Sequence, residues 1–169
     1  MRSSLALALP FMCVASLLAQ DLKKLDAAGG FKQFKIGNDF SSYAAELDAA
    51  TGRYTGTCCT TAFGMHVTSI KLEADNLGKL RKIMIDMCPD PQASLEVKQA
   101  LQVKIFNAIT EAFGSAGGDL QQLTNHFHWI GRRVTLEFQY DNLAPTCSMS
   151  LVYSTTLGSE YGQPNPSDY

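Results

Sequence analysis

The chain is poor in charge and in the residues of familiar catalytic motifs. Only 18% of its 169 residues are charged, and the formal net charge is −2. A net charge near zero gives no electrostatic reason to bind nucleic acid or an anionic membrane surface. Histidine occurs three times and tryptophan once. No Walker loop, dinucleotide glycine motif, nucleophile elbow or zincin helix is present. No Cys-x-x-Cys occurs, which removes the common zinc-ribbon and dithiol spacings. No fixed-period repeat and no heptad pattern exist, which excludes solenoids and coiled coils. One apolar run approaches membrane length, at the N-terminus, so a polytopic membrane protein is excluded. With 46% hydrophobic residues the chain is too apolar for intrinsic disorder, and its length suits one domain.

The N-terminal run reads as an address. Arg2 is a short positive region, and Leu5 to Leu18 is apolar apart from Ser16. That is short of the roughly 20 residues a span requires. Leu17-Leu18-Ala19 then gives way to Gln20 and a polar stretch. The layout predicts a secretory signal over 1–19 cut after Ala19, an export to the periplasm or the outside of a bacterial cell, and no stable membrane anchor afterwards. An uncleaved anchor helix is the alternative. Lipidation at Cys13 is disfavoured by bulky Phe11-Met12 before it.

Losing Cys13 would leave Cys58, Cys59, Cys88 and Cys147 as disulfide candidates. Four cysteines allow three pairings. One needs a vicinal Cys58–Cys59 bridge, a strained arrangement; the other two join Cys58 and Cys59 separately to Cys88 and Cys147. The adjacent pair could alternatively serve as a redox or soft-metal site, and free buried thiols are a further reading.

Residues 20–30 read as a polar lead-in, 31–157 as a single domain and 158–169 as a disordered tail of Gly, Pro, Ser and Asn. Phe34 and Ile36 alternate with lysines as a short strand. Asn38 or Asp39 is placed to cap a short helix through Phe40, Tyr43, Ala44 and Leu47. Gly52 to Cys59 reads as a strand. Val67, Ile70 and Leu72 rise to a turn at Asp75–Gly78, and Ile83, Ile85 and Met87 return with a strict apolar alternation. Asp90 and Pro91 are placed to start the main helix, about 23 residues long by the distance to Gly114. Its expected stripe is Val97, Leu101, Ile105, Ala108, Ile109 and Ala112, with Phe106 and Phe113 beside it. His126–Ile130, Val134–Tyr140 and Met149–Tyr153 read as three more strands. The grouping of strands between helices predicts an α+β domain: an antiparallel sheet with one long helix packed on it and a short N-terminal helix.

Several of these segments, Phe31–Gly37, the Ile70–Leu72 and Leu80–Ile85 hairpin, the Phe113-Gly114 step and Trp129-Ile130-Gly131-Arg132-Arg133-Val134-Thr135-Leu136, together resemble small exported α+β domains of unknown function from Bacteroidetes-type bacteria. The resemblance implies a fold and an exported location. It brings no catalytic residues, and the Cys58-Cys59 pair is not part of it.

The most suggestive chemistry is His126-x-His128. Two residues apart on a strand face the same way, so both imidazoles can reach one zinc or copper ion. A third ligand is required, and His66, Glu137, Asp86 or a cysteine could supply it. The competing reading is a solvent-facing histidine pair with Phe127 and Trp129 on the buried side. Lys79, Arg81 and Lys82, with Arg132-Arg133, suit solvated strand edges. The expectation is therefore a non-enzymatic binding or interaction domain with a protein or small-molecule partner and no cofactor. A metal-binding protein or metal-dependent enzyme using His126, His128 and His66 is the alternative, and a structural protein that associates through a sheet edge is a third.

Overall fold

A computed structural model describes residues 18–87, 92–114, 126–141 and 148–156. The alternating segments form the sheet, and the helical stripes cover one face of it. A six-stranded antiparallel sheet runs in the order β3 (Thr61–Ala62), β4 (Met65–Ala74), β5 (Leu80–Met87), β8 (Ser148–Thr155), β7 (Val134–Asp141) and β6 (His126–Ile130). A small hairpin, β1 (Gly30–Phe31) and β2 (Phe34–Lys35), stands apart. The helices are α1 (Leu18–Ala28) and α2 (Leu95–Phe113). The α+β architecture is thus as the patterning implies.

Pairing register turns the period-two patterns into continuous cross-strand rows. On the inner face one row is Ile70, Ile85, Leu151, Phe138 and Phe127; the next is Leu72, Ile83, Tyr153, Leu136 and Trp129. Ile83, Ile85, Leu136, Phe138, Leu151 and Trp129 are fully buried. Ile105 and Ile109 of α2 and Leu25 of α1 complete the same core. Phe106 of α2 lies 4.7 Å from the Phe127 ring and 5.9 Å from Trp129. The Trp129 indole N–H donates to the Gly114 carbonyl at 2.8 Å, tying β6 to the end of α2.

The structure departs from the sequence reading at four places. Residues 20–30, the polar lead-in, belong mostly to the helix α1, which the sequence reading did not include. Leu25 is fully buried, and the Gly29 N–H closes the last turn on the Leu25 carbonyl at 3.0 Å. The charges of Asp21-Leu22-Lys23-Lys24 mask the Leu18, Leu22, Leu25 spacing, which is helical. The short helix is a 3-10 helix, Phe40–Glu46, and Asp39 stands at its N-cap without capping it. The Asp39 carboxylate instead pairs with Lys79 Nζ at 2.7 Å. Residues 52–59 are not a strand. Only Arg53 and Tyr54 make isolated bridges; the Tyr54 N–H donates to the Ile70 carbonyl at 2.8 Å, and the Leu72 N–H to the Gly52 carbonyl at 3.0 Å. Fourth, α2 starts at Leu95, with Ser94 as N-cap accepting from the Val97 N–H at 3.3 Å. Asp90 and Pro91 lie outside the described residues. The buried face of α2 is Gln102, Ile105 and Ile109, while Val97 is half exposed, so the stripe is shorter than the apolar spacing suggested.

One carboxylate locks the N-terminal helix to the far end of the chain. Asp26 accepts the N–H groups of Arg132 (2.8 Å), Arg133 (2.8 Å) and Val134 (3.1 Å), the turn that joins β6 to β7. Gly131 is required there, since a Cβ would come within 2.5 Å of Asp26 Oδ1 and 2.8 Å of the Val134 carbonyl. Removing the carboxylate leaves three turn amides without their anionic acceptor, at a cost of about 2 kcal/mol for charge-assisted bonds at a partly exposed site. Asp26→Ala should lower the melting temperature by roughly 4–8 °C in calorimetry. Gly131→Ala should destabilise by crowding the same carboxylate, and an unchanged melting curve for both variants would contradict this account.

Candidate metal centre

The outer face of the sheet is polar, and its rows follow from the same register. One row is Ser69, Asp86, Ser150, Gln139 and His126; the neighbouring row is Lys71, Met84, Val152, Glu137 and His128. Because Phe127 and Trp129 are drawn into the core, His126 and His128 emerge together on the outer side. Strand β7 presents Glu137 directly opposite His128 and Gln139 directly opposite His126.

These side chains converge. A ligand atom from each of His126, His128 and Glu137 lies within 4.8 Å of the others. The two imidazole centroids are 4.1 Å apart. His126 Nε2 is 3.1 Å from Glu137 Oε2 and 3.0 Å from Gln139 Nε2, and Gln139 Nε2 donates to Glu137 Oε2 at 3.2 Å. The side chains of His126 and Glu137 are 21% and 14% exposed, so the cluster is sheltered without being sealed.

The three contacts form one hydrogen-bonded triangle. Glu137 Oε2 can accept from both the His126 Nε2–H and the Gln139 amide, and the role of the ring nitrogen follows its tautomer. Gln139 thereby orients the Glu137 carboxylate from outside the His126, His128 and Glu137 set.

His128 is shifted toward its neutral form. Burial pushes its pKa below the ordinary histidine value, the adjacent His126 pushes in the same direction, and Glu137 opposes them. A depressed pKa keeps the imidazole neutral, and metal coordination requires the neutral ring.

The other sequence candidates do not join this cluster. His66 is exposed on β4, opposite Thr61 of β3. Four inter-strand steps separate β4 from β6, about 19 Å at about 4.8 Å each. Asp86 is three strands from β6 and accepts from Ser150 Oγ at 3.1 Å. Cys58 and Cys59 form a vicinal disulfide, with Cα atoms 3.8 Å apart. This is the vicinal one of the three pairings that the sequence allows: a positive φ of 68° at Cys59 turns the two side chains toward each other. Cys88 and Cys147 lie outside the described residues. Gln139 is the member that sequence reasoning missed; the alternation of β7 places it on the face of Glu137, but only register sets it opposite His126.

A shallow cleft of about 350 Å³ lies between the 48–55 loop and β4. Its carboxylate is already committed. Asp48 Oδ1 accepts from the N–H groups of Ala50 (3.0 Å) and Thr51 (2.8 Å) and from the Thr51 hydroxyl (2.8 Å). The Thr51 bonds hold its carboxyl below the usual carboxylate range.

In metal-free protein, the His128 signal in a proton–nitrogen NMR titration should have its midpoint below the ordinary value of about 6.5. The neutral ring is favoured in the fold, so its contribution to stability is complete above that value. It is lost as pH falls from there through the folded midpoint. A midpoint at or above the ordinary value would contradict the burial argument.

No protein-family model, no curated protein and no solved structure matches this chain, so its function is argued from the geometry alone.

Proposed function

We propose that this chain is a binding domain, not an enzyme, and that its ligand is a divalent transition-metal ion of the zinc or copper class. His126, His128 and Glu137 are the protein ligands. The observation that carries the reading is the convergence of two imidazoles and a carboxylate from neighbouring strands, with ligand atoms within 4.8 Å of one another. Imidazole suits zinc and copper, and two imidazoles with one carboxylate form a three-point set that leaves a position for water or a partner's group. A protein or small-molecule partner would approach through that position. Gln139, Ser150 and Asp86 in the row of His126 offer such a partner hydrogen-bonding groups.

We also propose that the protein is exported. The support is the apolar Leu5–Leu18 run with Arg2 before it and the small residue Ala19 at its end. Cleavage after Ala19 retains Leu25, which is buried in the core, and Asp26, which holds the 132–134 turn.

Calorimetric titration of the purified protein with Zn²⁺ and, separately, with Cu²⁺ tests the metal reading. One ion per chain is expected for at least one of them. His126→Ala, His128→Ala and Glu137→Ala should each weaken binding by more than the roughly 10–100-fold that loss of an outer partner costs. Gln139→Ala should fall within that range, and His66→Ala should leave affinity unchanged. Absence of saturable binding, or equal weakening by His66→Ala, would overturn the assignment.

A further inference from the structure

The Cys58–Cys59 pair is surrounded by groups that a disulfide does not use. Gln33 stands at the tip of the β1–β2 hairpin, next to Lys32, whose φ is 50°. Its amide reaches across to both sulfurs. Nε2 donates to Cys58 Sγ at 2.7 Å, and Oε1 lies 3.1 Å from Cys59 Sγ. A second amide hydrogen goes to the Tyr54 hydroxyl at 3.3 Å. The amide is thus held by three contacts, Nε2 on Cys58 Sγ and on the Tyr54 oxygen and Oε1 beside Cys59 Sγ. The N–H side is therefore held on Cys58 and the carbonyl side on Cys59.

That polarity has no purpose in a disulfide, whose sulfurs carry no proton to offer Oε1. It matches a reduced pair. A Cys58 thiolate would accept a charge-assisted bond from Nε2, and a Cys59 thiol would donate to Oε1. Exposure agrees with this division. Cys58 is half-buried, whereas Cys59 is 7% exposed and belongs to the core. Only Cys58 is open to a sulfur nucleophile from solution.

We propose that Cys58–Cys59 is a reversible dithiol–disulfide site that exchanges with low-molecular-weight thiols, with Cys58 as the exchanging sulfur and Cys59 as its resolving partner. In the reductive direction an external thiolate attacks Cys58 Sγ. The Cys58–Cys59 bond breaks, and its electron pair leaves on Cys59, which takes a proton and donates it to Gln33 Oε1. A second external thiolate then attacks the outer sulfur of the mixed disulfide. The external thiols depart as their disulfide, two electrons remain on the pair, and Cys58 is released as a thiolate facing Gln33 Nε2. Oxidation runs the same steps backwards, with Cys58 attacking an external disulfide. The site stands apart from the metal centre, and neither assignment depends on the other.

The test uses the full chain under native conditions in glutathione buffers of graded composition, quenched by acid and alkylated. Mass spectrometry then reads the tryptic peptide Tyr54–Lys71. Reversible two-electron conversion of the pair without unfolding is expected. Cys59→Ser should trap one glutathione on Cys58, and Cys58→Ser should be trapped on Cys59 at least tenfold more slowly. Adding Gln33→Leu to Cys59→Ser should slow alkylation of Cys58 about threefold near neutral pH, because the lost thiolate fraction outweighs the gain in intrinsic nucleophilicity. A wild-type pair that resists glutathione until denatured would overturn the proposal, and this arm needs no variant. Equal trapping at the two cysteines, or bridging of Cys58 or Cys59 to Cys88 or Cys147 in the native protein, would also overturn it.

Discussion

The Asp26 carboxylate is the contact on which the arrangement of this domain turns. It accepts three backbone N–H groups from a turn more than a hundred residues away, so α1 and the β6–β7 hairpin are set together. The Trp129 indole holds the same end of β6 to α2 by donating to the Gly114 carbonyl. Strand β6 makes ladder bonds to β7 on one side. Within the described residues, these two side chains supply what a second neighbouring strand supplies elsewhere in the sheet. A strand held in this way presents its outward side chains in a defined place.

The candidate metal centre depends on that placement. His126 and His128 share a face because they are two residues apart in a strand, and buried Trp129 with Phe127 packed against the core decides which face. Register with β7 then adds Glu137 and Gln139. A slip of one residue would exchange Glu137 for Leu136 or Phe138 opposite the histidines and drive the carboxylate into the core, so the hydrophobic rows of the inner face enforce the polar rows of the outer one.

The β1–β2 hairpin and the 48–60 loop form a second polar region on the opposite side of the topology. Phe34 anchors the hairpin against Tyr43 and Tyr54, at ring separations of 5.5 and 5.0 Å. That anchoring brings the Gln33 amide to the two sulfurs. Apolar packing thus serves the same purpose at both sites: it positions polar groups that have no affinity for one another in the unfolded chain.

The α+β class, the strands from β4 to β8 and the common face of His126 and His128 were legible in the sequence, since periods of two and 3.6 report which side chains must be buried together. The end of α2 at Gly114 was legible too, because a glycine there takes the positive φ of 88° that the cap adopts. The helix α1 was not, because its stability comes from Leu25 in the core and Asp26 on a distant turn, neither of which is a local signal. The choice of Glu137 over His66 and Asp86 was decided by strand order, which places β7 beside β6 and β4 four steps away. The Cys58–Cys59 pairing was decided by the backbone of the loop at Cys59. Local periodicity fixes what each segment buries; only the closed sheet fixes which segments become neighbours, and both candidate sites are made of neighbours.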